Sequence, residues 1–149
     1  MISNLQSLLK KYVSPGDDGA AREESLRMAV SVLLMEVARA EDGVSKEERR
    51  VIQRILEAQH SVSPRRAREL ADAAERQAER ATSLYPFTRL IVEECSLEER
   101  AEVIRMLWEV TFADGHAGDL EEHLIRKVAG LLYVPHRDFI RMKYRQGGS

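Results

Sequence analysis

From Leu26 to Met142 an apolar residue returns every three or four positions, and nowhere does apolar–polar alternation last long enough to build a strand between turns. That period restricts the chain to helices, each burying a stripe. The expected fold is therefore all-α, a single-domain bundle of about seven or eight helices over residues 1–149. Leu5, Leu8, Leu9 and Tyr12 mark a short first helix, which Ser14-Pro15-Gly16 ends and after which Asp18 can cap the next. The helix at about 20–40 has Leu26, Ala29, Val30, Leu33 and Val37 on one side. Met28, Val32 and Met35 extend its apolar character, which predicts a central helix covered on more than one face.

Caps divide the remainder. Ser45-Lys-Glu-Glu48 and Ser96-Leu-Glu-Glu99 have capping-box spacing, and Ser63-Pro64 sets a cap before a proline at the first helical position. The helix at about 64–81 carries the small stripe Ala67, Leu70, Ala71, Ala74 and Ala78, so it can approach its neighbours closely. A short helix around Phe87, Leu90 and Ile91 follows the break at Leu84-Tyr-Pro86. Further helices are expected at about 97–113, after a cap at Asp119 or its neighbour, and after Pro135.

Shifted by 73 positions, the chain aligns 30–41 with 103–114 without a gap. Val30/Val103, Leu34/Leu107, Glu36/Glu109, Val37/Val110 and Ala40/Ala113 match, then Glu48/Glu121 and Ile52/Ile125. Capping signals alone favour one further residue of shift, pairing Ser45 with Asp119 and Glu48 with Glu122. Either register describes a repeated helix, acidic loop, helix unit, with halves at about 26–70 and 98–142. Two hairpins about an approximate two-fold follow, their loops being equivalent sites.

The loops concentrate the acid. Residues 41–48 (Glu41, Asp42, Glu47, Glu48) and 114–122 (Asp114, Asp119, Glu121, Glu122) hold eight of the 25 acids, nearly three times an even spread, against one lysine, Lys46. Carboxylates gathered on a turn repel one another until a cation, an Arg or Lys, or water relieves them. As a metal site, Glu41 or Asp42 with Glu48, and Asp114 and Asp119 with Glu121 or Glu122, offer hard oxygen ligands suited to Ca²⁺ or Mg²⁺. Gly43, Gly115 and Gly118 allow the positive φ that turns carbonyls inward. His116 and His123 beside the second loop would favour a transition metal such as Zn²⁺. The spacing is not that of an EF-hand. Helix capping competes, because acids in a first helical turn bond orphan amides and favour the macrodipole. It accounts for Glu48 and Glu122 better than for Glu41, Asp42 and Asp114.

Glu36 and Glu109, at the edge of their apolar stripes, need a partner: an Arg, a loop amide, or a place behind the metal ligands. Glu57-Ala-Gln-His60 matches half of a di-iron motif whose second copy is missing. Cys95, the one cysteine, cannot form an internal disulfide and suits a reducing compartment. Glu93 and Glu94 beside it discourage a thiolate. No Gly-rich phosphate loop or catalytic triad is present, so no enzyme is expected. A net charge of −2 and eight aromatics argue against nucleic acid, and no apolar run approaches the roughly 20 residues of a membrane span. No signal peptide is read at the start. Arg65, Arg66, Arg68 and the tail with Arg137, Arg141, Lys143 and Arg145 could meet phosphate or an anionic membrane surface. Interleaved acids make the helix at 64–81 a solvated face.

Leu34-Met-Glu-Val-Ala-Arg-Ala-Glu-Asp-Gly-Val-Ser-Lys-Glu-Glu48 and Leu107-Trp-Glu-Val-Thr-Phe-Ala-Asp-Gly-His-Ala-Gly-Asp-Leu-Glu-Glu122 resemble the TerB family. This tellurite-resistance domain is related to the N-terminal region of membrane-anchored DnaJ-like co-chaperones. The second loop keeps the family's Ala-Asp-Gly, while the first carries an added Glu in Ala40-Glu-Asp-Gly. The resemblance implies an all-α bundle of pseudo-symmetric halves, metal at the acidic loops, and a stress- or tellurite-linked role. The resulting expectation is a cytoplasmic, non-enzymatic domain that binds Ca²⁺, Mg²⁺ or Zn²⁺ and works through protein partners or as a homodimer. The alternative is a metal-independent protein-interaction module.

Overall fold

Seven α-helices, and no strand among the described residues, make up the computed structural model, which describes residues 17–115 and 117–146, with side chains from Gly19 onward. They are α1 (Asp17–Ala38), α2 (Lys46–His60), α3 (Pro64–Arg80), α4 (Tyr85–Glu94), α5 (Leu97–Thr111), α6 (Asp119–Leu131) and α7 (His136–Arg145). A 3₁₀ turn, Phe112–Asp114, follows α5. The helix expected around Leu5 to Tyr12 and the terminal 147–149 lie outside the described residues. The second helix begins before its expected cap, so Asp18 sits within α1. No helix among the described residues is long and apolar enough to cross a membrane.

The architecture follows from α1. Val30, Ser31, Val32, Leu33, Leu34 and Met35 are consecutive and fully buried, so every face of that stretch needs a neighbour. Helices α2, α3, α4, α5 and α6 supply them. Ser31 meets the requirement by donating its hydroxyl to the Arg27 carbonyl at 2.7 Å. On α3 the buried stripe is Ala67, Leu70, Ala71, Ala74 and Ala78, whose small side chains bring its backbone close to α1 and α2.

Helix α5 is the second buried axis, with Val103, Ile104, Met106, Leu107, Trp108 and Val110 fully enclosed. Trp108 satisfies its indole by donating to the Phe139 carbonyl at 3.2 Å, and its ring meets those of Phe112 and Phe139 at 5.8 and 5.2 Å. That seats α7 on α5. At the other end of α5, Arg100 donates to the carbonyls of Cys95 and Leu132, both at 2.7 Å. One guanidinium thus serves the C-terminal ends of α4 and α6, where backbone oxygens lack partners and the helix dipole is negative.

The expected caps form. Ser45 and Ser96 exchange bonds with Glu48 and Glu99, and Ser63 accepts from the Arg66 amide with Pro64 following. At the end of α2, burial and the nearby Arg27 charge push the His60 imidazole down to about 4. The unfolded chain takes up a proton below about 6.5 and the folded one does not. His60 therefore lowers stability as pH falls from about 6.5 toward 4, by on the order of 3 kcal/mol at the limit. Chemical denaturation across that interval should show a shallower fall for His60→Gln; equal slopes would exclude His60 as the source.

Candidate metal centre

The two buried helices end side by side. After α1 the chain turns through Gly43, at φ 88°, to Ser45, the N-cap of α2. After α5 it passes through the 3₁₀ turn and Gly115, at φ 100°, to Gly118, the N-cap of α6. Both glycines hold left-handed backbone that a Cβ would strain. The 3₁₀ turn packs on α2, which brings the second loop over the first.

Each loop closes onto its helix through a carboxylate. Glu48 accepts the Ser45 amide at 2.8 Å, and Glu121 accepts the Gly118 amide at 3.1 Å. These two capping pairs stand 73 positions apart. The alternative pairing of Asp119 and Glu122 with the cap is not formed. Gly118 has an ordinary φ of −76°, and a Cβ there would meet the end of the Glu41 side chain.

Glu41, Asp42, Glu48, Asp114 and Glu121 line one cavity of about 260 Å³, together with Ala38, Gly43, Val44 and Ser45. The two loops, read from sequence as equivalent sites, thus face a shared space. That volume exceeds the roughly 30 Å³ of one water several times over, room for an ion with its hydration. Asp119 is exposed on the first turn of α6, and Glu122 turns to Lys143 at 2.9 Å, so neither lines it. His123 is exposed, and His116 lies outside the described residues. Ser45, whose hydroxyl lines the cavity as well as capping α2, was legible only as a cap.

Glu48 and Glu121 are 4 % and 6 % exposed. One Glu121 oxygen accepts from Gly118; the other is buried with no donor. Burial pushes the Glu121 carboxyl up to about 8. The Gly118 amide opposes the shift, while the Glu48 carboxylate, within hydrogen-bonding reach, and the charge of Glu41 add to it. The Glu121 carboxyl therefore keeps its proton well above the usual carboxylate range. Glu41, Asp42 and Asp114 are exposed and have no ion-pair partner among the described residues, so water rather than an Arg or Lys screens them. Among the described residues no three acidic, His or Cys side chains are yet drawn to a common point, so a metal would have to gather the loop carboxylates.

The other candidates lie elsewhere. Glu36 pairs with Arg39 and Glu109 with Arg105, both at 3.0 Å. Glu102, buried and also held by Arg105, was missed, although the i,i+3 spacing was visible. Cys95 is buried, and its thiol is pushed up chiefly by that burial and by Glu99, with Glu94 a smaller contributor.

The family model described as Tellurite resistance protein TerB matches residues 27–144, most of the chain. Comparison with curated proteins and with solved structures gives no match.

A carboxyl that stays protonated to about 8 when folded but only to about 4.5 when unfolded withdraws stability as pH rises through that interval. Glu121→Gln, which keeps an oxygen for the Gly118 amide, should match the wild type in Tm near pH 4.5 and exceed it at pH 8.5 in chelator. A lower Tm at both values would refute the raised Glu121 carboxyl.

Proposed function

Because the chain belongs to the TerB family, we propose that it is a non-enzymatic helical domain that binds one divalent cation in the cavity between its acidic loops. The observation that carries this reading is the convergence of five carboxylates from both loops on one space, with a buried Glu121 oxygen that lacks a donor. Neutralisation is what such a group needs, and a proton supplies only part of it. Capping explains Glu48 and Glu121, but not the three loop acids.

The described donors are oxygens, which favours Ca²⁺ or Mg²⁺ over Zn²⁺; a histidine ligand would reverse that order. With ligands from both loops, the ion would fasten the α1–α2 connection to the start of α6. The domain then acts as a cation-stabilised binding element, in the cytoplasm and within the stress- or tellurite-linked assemblies that the family name indicates. The alternative, a metal-independent interaction module, keeps the same fold and leaves the cavity to water and salt.

Calorimetric titration of chelator-treated protein with Ca²⁺, Mg²⁺, Mn²⁺ and Zn²⁺ separates the two. One ion per chain is expected, with Asp114→Asn or Glu41→Gln weakening it about tenfold or more, the equivalent of about 1.4 kcal/mol. Asp119→Asn and Glu122→Gln should leave the affinity nearly unchanged. At an ion concentration one hundred times Kd, the folded state gains about 2.7 kcal/mol, visible as a higher Tm. Absence of saturable heat and of a thermal shift with all four ions would leave the interaction module standing.

A further inference from the structure

Away from the cavity, the chain changes sign. From His123 to Gln146 every exposed charged residue is basic: Arg126, Lys127, Arg137, Arg141 and Arg145. The one acid in that stretch, Asp138, is buried and held by Arg141 at 3.1 Å. Arg126, Lys127, Arg137 and Arg145 have no ion-pair partner among the described residues, in a chain where acids outnumber bases.

The corner is also built. The Arg126 guanidinium lies 4.9 Å from the Phe139 ring centre, on whose ring His136 stacks at 5.6 Å. Lys143 sits 5.2 Å from the Trp108 ring centre and bonds Glu122. These contacts hold the α6–α7 junction to the core. On α7, Arg137, Arg141 and Tyr144 recur at i, i+4 and i+7, so they share the outward face, and Tyr144 is 61 % exposed.

Tyr133 supplies an independent observation. Helix α6 closes with the Val134 amide on the Ala129 carbonyl at 2.9 Å and the Tyr133 amide on the Gly130 carbonyl at 3.1 Å. That closure puts its left-handed residue where glycine is the usual choice. Here the residue is Tyr133, at φ 54°, with 73 % of its surface exposed. Its backbone is strained, and its side chain gives the fold little packing in return.

We propose that the α6–α7 corner docks an acidic segment of a partner protein, with Tyr133 as the aromatic anchor and the arginines of α6 and α7 as carboxylate receptors. Arginine takes carboxylates bidentately, and Tyr with Arg dominates the energetics of protein interfaces. From His123 onward the large exposed apolar residues are Tyr133 and Tyr144, with no exposed aliphatic side chain beside them to enter a bilayer.

The test is fluorescence anisotropy with a fluorescein-labelled peptide of repeated Glu-Glu-Leu, on the full chain at low salt. Saturable binding that weakens with added salt is expected, and Arg137→Gln with Arg145→Gln should reduce affinity about tenfold. Tyr133→Gly should raise Tm by relieving the strain yet weaken the peptide several-fold, a pairing that misfolding cannot imitate. The proposal is overturned if the peptide does not saturate, if either variant binds like the wild type, or if phosphatidylglycerol vesicles or duplex DNA bind more tightly than the peptide.

Discussion

Complete burial of the stretch Val30–Met35 forces the rest of the bundle into place, since a helix with no wet face has to be surrounded by others. Five helices meet that demand, and the alanine stripe of α3 lets one of them come close. Helix α5 is nearly as enclosed, and the two axes end at the two acidic loops. Of the five carboxylates of the cavity, Glu48 and Glu121 are held in the first turns of packed helices, while Glu41, Asp42 and Asp114 stand on the exposed turns between them.

Within the cavity, Glu48 and Glu121 each bond an N-cap amide and also face the shared space. The first task fixes the side chain, and the second leaves charge needing compensation. A proton on Glu121 and a cation among the loop acids are two answers to the same electrostatic problem. The loop acids Glu41, Asp42 and Asp114 lack such bonds and keep the freedom to adjust around an ion.

Local features were legible in the sequence. Ser45, Ser63 and Ser96 announce helix starts through bonds spanning three residues, so spacing alone locates them. The offset of 73 identified Glu48 and Glu121 as counterparts, and each forms the capping bond of its helix. Less legible was which side of the first turn of α6 faces inward. Glu121 and Glu122 are adjacent acids that the two registers assign differently; the Gly118 amide takes Glu121 and Lys143, twenty-one residues on, takes Glu122. That the loops share a cavity depends on the packing of the 3₁₀ turn against α2, which no local pattern encodes. Gly118 was read as a conformational glycine, whereas its φ is the ordinary −76° of a helix N-cap.

Arg100 sits in the first turn of α5, and Asp114 just past its last, about 20 Å away at 1.5 Å per residue. At the Arg100 end, one guanidinium clamps the ends of α4 and α6; at the Asp114 end, unneutralised carboxylates face one another. Helix α6 spans the same two ends: the carbonyl of its C-cap, Leu132, is bonded by Arg100, and its first turn gives Glu121 to the cavity, so a change at either end of α5 meets the same helix.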